Sequence, residues 1–239
     1  MAGRGLTATL CPGTLFECAT PLAPPYVVQD GVLGTVALPP GVAGIPVPEG
    51  FDGFIQLTVS GFAAGSDDSY VPVDYYLGGP ISESISFGQP VVMFTRRNLQ
   101  TAIEQSFAGA DPSLVTEGGA VVLGVFDCNS QPVADARVEI SLGGGAAEGM
   151  QSFLMPPSRI PVAPPAGEPL RTGASGVVGY LGVPPGTVQL RAYRPGEAQP
   201  FATSELGVVP GEFSVAALRP GYLSSADLNA GAPFSEPGL

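Results

Sequence analysis

The residues with chemistry to offer are mostly carboxylates. Asp67 and Asp68 are adjacent, Asp74 follows in the same segment, and Glu49 and Asp52 precede them. Such a set supplies the hard oxygen donors that Ca²⁺ gathers in sites of six or more oxygens, without any need for His. The spacing matches no EF-hand loop, so solvated loop carboxylates are expected and Ca²⁺ at Asp67, Asp68 and Asp74 is left as the alternative. Paired carboxylates also serve glycoside hydrolysis, which needs an acid and a base or nucleophile at a fixed separation. The chain has no Trp to stack on a sugar and few charges, 13% of residues. Arg96 and Arg97 form its single basic pair and have the fork geometry for a carboxylate or phosphate. Solvation, or pairing with local acids, is the plainer expectation for them. Tyr70, Tyr75 and Tyr76 offer an aromatic contact surface. Alternation places Tyr75 and Tyr76 on opposite faces of a strand, so only one of them is expected in a core.

The chain contains no His. The commonest general base, nucleophile partner and transition-metal ligand is therefore missing, which argues against most hydrolase and zinc mechanisms. No catalytic residue, cofactor or metal site is assigned, and the protein is read as not an enzyme. Of three Cys, Cys11 and Cys18 are close enough to close a short disulfide loop in an oxidising compartment. Cys128 is expected to be a buried, apolar-like residue beside a turn.

These residues must be positioned by strands. The 239-residue chain is 44% hydrophobic, so it has the means to bury a core, yet it carries 34 Gly and 27 Pro. That punctuation between short apolar runs favours an all-β fold. A net charge of -12 and a pI near 4.2 make nucleic acid and anionic membranes poor partners. No apolar run reaches the length of a transmembrane helix, about 18 residues.

Self-similarity gives the organisation. The run Asp-Gly-Val-Leu-Gly-Thr-Val-Ala-Leu-Pro-Pro-Gly at 30–41 returns as Ser-Gly-Val-Val-Gly-Tyr-Leu-Gly-Val-Pro-Pro-Gly at 175–186, with six of twelve positions identical. Each copy reads as turn, strand, and a Pro-Pro-Gly turn into a second strand, in the manner of a hairpin. Each is followed by a Gln-Leu strand and then an aromatic, Phe62 or Tyr193, expected at the end of a sandwich. Between the copies, 98–107 is free of Gly and Pro and places Leu99, Ile103 and Phe107 four apart, predicting a short helix capped by Asn98. The expected organisation is a first β-sandwich at 1–97, a helical linker at 98–115, and a second sandwich at 116–222 interrupted by a long loop at 143–173. A tail follows at 223–239.

The segment 125–140, with Phe126, Asp127, the polar turn at 128–131, then Pro132-Val133 and Ala136-x-Val138, resembles the first two strands of transthyretin-like, carboxypeptidase regulatory-like domains. Asp135 stands where that family commonly has Gly. The resemblance implies two tandem Greek-key β-sandwich (prealbumin-like) domains. The residues from Gly5 to Ala8 align with 135–138, so the first sandwich is expected to lack its opening strand. The arrangement is also similar to the tandem-domain envelope lipoproteins of myxobacteria. That similarity implies an extracytoplasmic location, with a signal peptide lying outside the given chain. The run ending at Cys11 is too short for an apolar signal region, and Leu10 sits where a small residue is required. The functional expectation is a structural or adhesion-type binding module contacting an unidentified protein or glycan. The alternative is an accessory domain pair of a larger extracytoplasmic enzyme whose catalytic part lies elsewhere.

Overall fold

Apolar residues on both faces of a strand mark a strand covered from both sides. Strands β5 (Gly119–Val125) and β12 (Phe213–Leu218) read this way, and both lie in the middle of the larger sheet. The computed structural model describes residues 5–13, 18, 21–22, 26–28, 48–63, 65–76, 93–107, 111, 113–143, 145–146, 149–157 and 161–220. The N-terminal strands are β1 (Gly5–Pro12), β2 (Tyr26–Val28), β3 (Gly53–Ser60) and β4 (Val73–Tyr76). Helices α1 (Arg96–Ser106) and α2 (Ser113–Glu117) lead into β5. After it come β6 (Arg137–Leu142), β7 (Gly145–Ala146), β8 (Gln151–Met155), β9 (Val177–Val183), β10 (Gly186–Tyr193), β11 (Ala202–Val208) and β12.

Among the described residues the fold is all-β, in two sheets. An eight-stranded sheet runs β2-β1-β3-β4-β12-β5-β9-β8, and a four-stranded sheet runs β11-β10-β6-β7. The expected boundary at 98–115 does not divide the sheets. Strand β4 pairs in parallel with β12, Val73 opposite Phe213 through Tyr76 opposite Ala216, so one sheet continues through both expected sandwiches. The physical reason is that β4 and β12 each carry apolar residues on both faces, and each would otherwise leave a bare hydrogen-bonding edge. The four-stranded sheet covers one face of the larger sheet, with Phe54, Leu123, Val178, Leu190, Leu206 and Leu218 between them. The opposite face is covered by the helices, where Leu10, Ile55 and Val73 meet Leu99, Ile103 and Phe107. Each fully buried side chain of this size contributes about 1.5–3 kcal/mol.

Three local expectations change. Helix α1 starts before Asn98: Thr95 is the N-cap, its Oγ1 accepting from Asn98 N at 3.2 Å. Thr caps as Asn does, and starting there adds Arg96 and Arg97, both good helix formers, to the first turn. The segment 143–173 is not one loop, because it contains β7 and β8. Residues 151–155 form a Gly- and Pro-free strand beside β9 that buries Phe153, and Leu154 exchanges backbone hydrogen bonds with Val162 at 2.8 and 2.9 Å. The surrounding Pro residues are compatible with a sheet edge. Finally, the Pro-Pro-Gly at 184–186 does not close a hairpin. It carries the chain from β9 in the large sheet to β10 in the small one. Two Pro without N–H groups and Gly186 at φ 144 break the ladder there. The first copy of the repeat at 30–41 and the tail at 223–239 lie outside the described residues.

Candidate functional site

The most concentrated polar chemistry among the described residues lies on the β4–β12 seam. Register alone places Gln56 of β3, Asp74 of β4 and Ser214 of β12 side by side across three neighbouring strands. Alternation turns all three toward the four-stranded sheet, on the face that carries Phe54 and Tyr76. Asp74 is 0% exposed. Its Oδ1 accepts from Gln56 Nε2 at 3.1 Å. Among the described residues, its Oδ2, like Oε2 of Glu212 in the turn before β12, receives no hydrogen bond from any N–H or hydroxyl group. Glu212 lies two residues before Ser214, the register partner of Asp74, and the two carboxyl groups act on each other by charge and by hydrogen bonding.

Burial dominates the electrostatics. Burial first, then the Glu212 charge, lift the Asp74 carboxyl to about 7 against the opposing hydrogen bond from Gln56. Burial also raises Glu212, against the hydrogen bond with Asp74 and the charge of Arg96, which pull it down. Both shifts run toward the neutral form, so the pair favours holding a proton that two exposed carboxylates would release. Beside this pair, Tyr76 Oη donates to Gly207 O at 3.2 Å and accepts from Gly207 N at 3.1 Å, while Ser214 Oγ donates to the same carbonyl at 2.8 Å. The edge of β11 is thus satisfied by side chains of the larger sheet. Burial, reinforced by the Asp74 charge, pushes the Tyr76 hydroxyl far up, so it remains a neutral donor. Its ring stacks on Phe54 at 4.9 Å between centroids.

A carboxylic acid beside a carboxylate is a pairing that enzymes use for acid–base work. Here the acid is fully buried between strands. Sequence reasoning singled out Asp74 but missed Gln56, Ser214 and Glu212. One local signal existed: a charged residue inside the run Val73-Asp74-Tyr75-Tyr76. Nothing local joins it to a Glu far along the chain.

The structure separates Asp74 from Asp67 and Asp68. Those two are exposed and face Arg97, whose Nη2 lies 3.9 Å from Asp67 and 3.3 Å from Asp68. The backbone of the same loop caps α1, because Arg97 N donates to Asp67 O and Arg96 N to Ser69 O, each at 2.9 Å. Negative side chains at that end also suit the helix dipole. Glu49 and Asp52 are exposed. Among the described residues no group of three or more Cys, Asp or Glu side chains is placed to hold a metal ion. Arg96 is not simply solvated, since its Nε is buried without a hydrogen-bond partner. Tyr75 and Tyr76 do face opposite ways, but both are packed. Tyr75 lies half-buried against the helix-side core and Tyr76 is in the inter-sheet core, because both faces of the sheet are covered. Tyr70 meets half-buried Phe62 edge-on at 5.6 Å, and Tyr193 is buried.

The Cys11 and Cys18 sulfurs are joined, with Cys11 in the inter-sheet core. Cys128 is exposed, not buried. It sits in a turn that Asp127 ties off by accepting from Asn129 N and Gln131 N, both at 2.8 Å, which turns residue 128 outward. Asp135, at the position where the resembled family has Gly, adopts φ 58. Among the described residues no helix is long and apolar enough to cross a membrane, a statement about helices alone.

No family model matches the sequence, and no curated protein matches it. Among solved structures, the chain is similar to the Bacillus anthracis TIE protein, with 13% identity, a TM-score of 0.28, and coverage of 44% of this chain and 16% of that one. It is also similar to the group B streptococcus pilus 2b backbone protein, with 10% identity, a TM-score of 0.28, and coverage of 92% of this chain and 79% of that one.

Proposed function

We propose that this chain is a non-enzymatic structural or adhesion-type module of the cell envelope or secreted space, whose loops contact protein or glycan. One observation carries the reading. Asp74, the acid with the most perturbed chemistry, is fully buried between strands, while the exposed acids Asp67 and Asp68 are engaged in capping and pairing at α1. The absence of His from the sequence supports it. The bonded Cys11 and Cys18 fit an oxidising compartment.

Within that reading, 116–222 is a transthyretin-like, carboxypeptidase regulatory-like sandwich. The support is the passage from β5 in one sheet to β6 in the other through the Pro132-Val133 turn, and the positive φ at Asp135. Thr172 pins the turn by accepting from Ala136 N at 2.9 Å and donating to Val133 O at 2.6 Å.

Cell fractionation with thiol trapping tests the location. The expected result is protein in the envelope or secreted fraction, with Cys128 alkylated directly and Cys11 and Cys18 only after reduction. Cytosolic protein with all thiols alkylated at once would overturn the reading.

A further inference from the structure

The pairing of β4 with β12 joins strands β1–β4 to the rest of the eight-stranded sheet. The Asp74–Glu212 contact sits on that pairing: Asp74 is at the centre of β4, and Glu212 immediately precedes β12. Among the described residues, the groups facing Asp74 are Gln56 from β3, Tyr76 from its own strand, Ser214 from β12 and Glu212 from the preceding turn. The cation nearest the pair in effect is Arg96 at the start of α1, which acts on Glu212. Gln56 supplies one donor, and among the described residues one oxygen of each carboxyl is left without an N–H or hydroxyl donor. One proton between the carboxyls satisfies that arrangement. Without it, two negative charges face each other in a buried place, which is costly.

We propose that Asp74 and Glu212 form a one-proton latch across the β4–β12 seam, which holds the two parts of the large sheet together while protonated and loosens that pairing when the proton leaves. The latch is independent of what the surface binds. The sign follows from linkage. Asp74 ionises near its ordinary value of 3.8 once the seam opens and near 7 while it is closed. The closed state therefore holds the extra proton between those values. Closure is strongest below about pH 4, weakens as pH rises to about 7, and is constant above that.

The test uses the full chain with native hydrogen exchange from pH 5 to 9, corrected for the intrinsic exchange rate. The seam probe is the Phe213 amide, which donates to Pro72 O at 3.0 Å, and the reference is the β6–β10 ladder. Protection at Phe213 is expected to fall up to about tenfold per pH unit until about pH 7 and then level off, with the reference unchanged. In Asp74→Asn, whose amide still has a hydrogen to donate to Glu212, the fall is expected to be largely lost, whereas in Glu212→Gln, which removes the neighbouring charge but leaves Asp74 buried, it is expected to level off at a lower pH than in the wild type. Asp68→Asn is expected to keep the wild-type profile. The latch is overturned if Phe213 protection in the wild type does not change between pH 5 and 7, if it changes in step with the reference, or if both seam variants retain the full slope. Should the variants not fold, ¹³C titration of the Asp74 carboxyl in the wild type decides. A midpoint near 7 supports the latch and one below 5 overturns it.

Discussion

Asp67 and Asp68 lie close in sequence to Asp74, and the fold puts them to opposite uses. At Asp67 and Asp68 the side chains are 75% and 69% exposed, Arg97 is beside them, and water supplies whatever else they need. At Asp74 exposure is nil and the partners are Gln56 and another carboxyl. The residue type is the same. What differs is the dielectric around it, and with it the cost of charge. The exposed cluster helps terminate a helix, whereas the buried one makes the joint of a sheet depend on a proton.

Substitutions can break or sharpen that contrast, and the largest effect belongs to the seam. Tyr76→Ala removes a ring stacked on Phe54 and both contacts to Gly207. It should cost about 3–5 kcal/mol in chemical denaturation, and a loss below about 1 kcal/mol would mean that the seam is not a principal joint. Tyr76→Phe keeps the ring and strips only the hydroxyl, exposing the hydrogen-bond share. A loss of about 1–3 kcal/mol is expected, since the Gly207 N–H stays buried without its acceptor.

The surface side of the comparison is weaker. Thr95→Ala removes the side-chain cap of α1 and should cost about 1 kcal/mol. Equilibrium unfolding that shows no change would place the capping in the Asp67 and Ser69 carbonyls alone. The smallest effect is expected from Asp67→Asn and Asp68→Asn, below about 0.5 kcal/mol each, because exposed pairs with Arg97 are screened. A double-mutant cycle with Arg97→Gln that returned a coupling above about 1 kcal/mol would erase the distinction between the clusters.

How far the sequence reaches can be judged element by element. Helix α1 was legible because Leu99, Ile103 and Phe107 repeat at helical spacing, although its cap lies three residues earlier than the Asn suggests. Strands β5, β6 and β9 were legible from β-rich runs bounded by turn residues. Strand β8 was not, because its five residues are flanked by Gly, Pro and Ala that read as loop. Asp74 could be seen as a polar residue in a strand, but its partner could not, since no local pattern links it to Glu212. The same distance hid the contact of Tyr76 with Gly207, which are 131 residues apart.

The sequence by itself determined what is decided within a few residues: an all-β chain, the position of most strands, one short helix, and the turns that separate them. Tertiary structure alone decided that β4 would lie beside β12. That choice made one sheet of two expected sandwiches, buried Asp74, and brought Glu212 to it. The reason is physical: alternation and turn chemistry act between neighbours in the chain. Strand order is set by which edges find a partner and which faces find cover, and so are the burial and charge contacts that move a carboxyl toward neutrality.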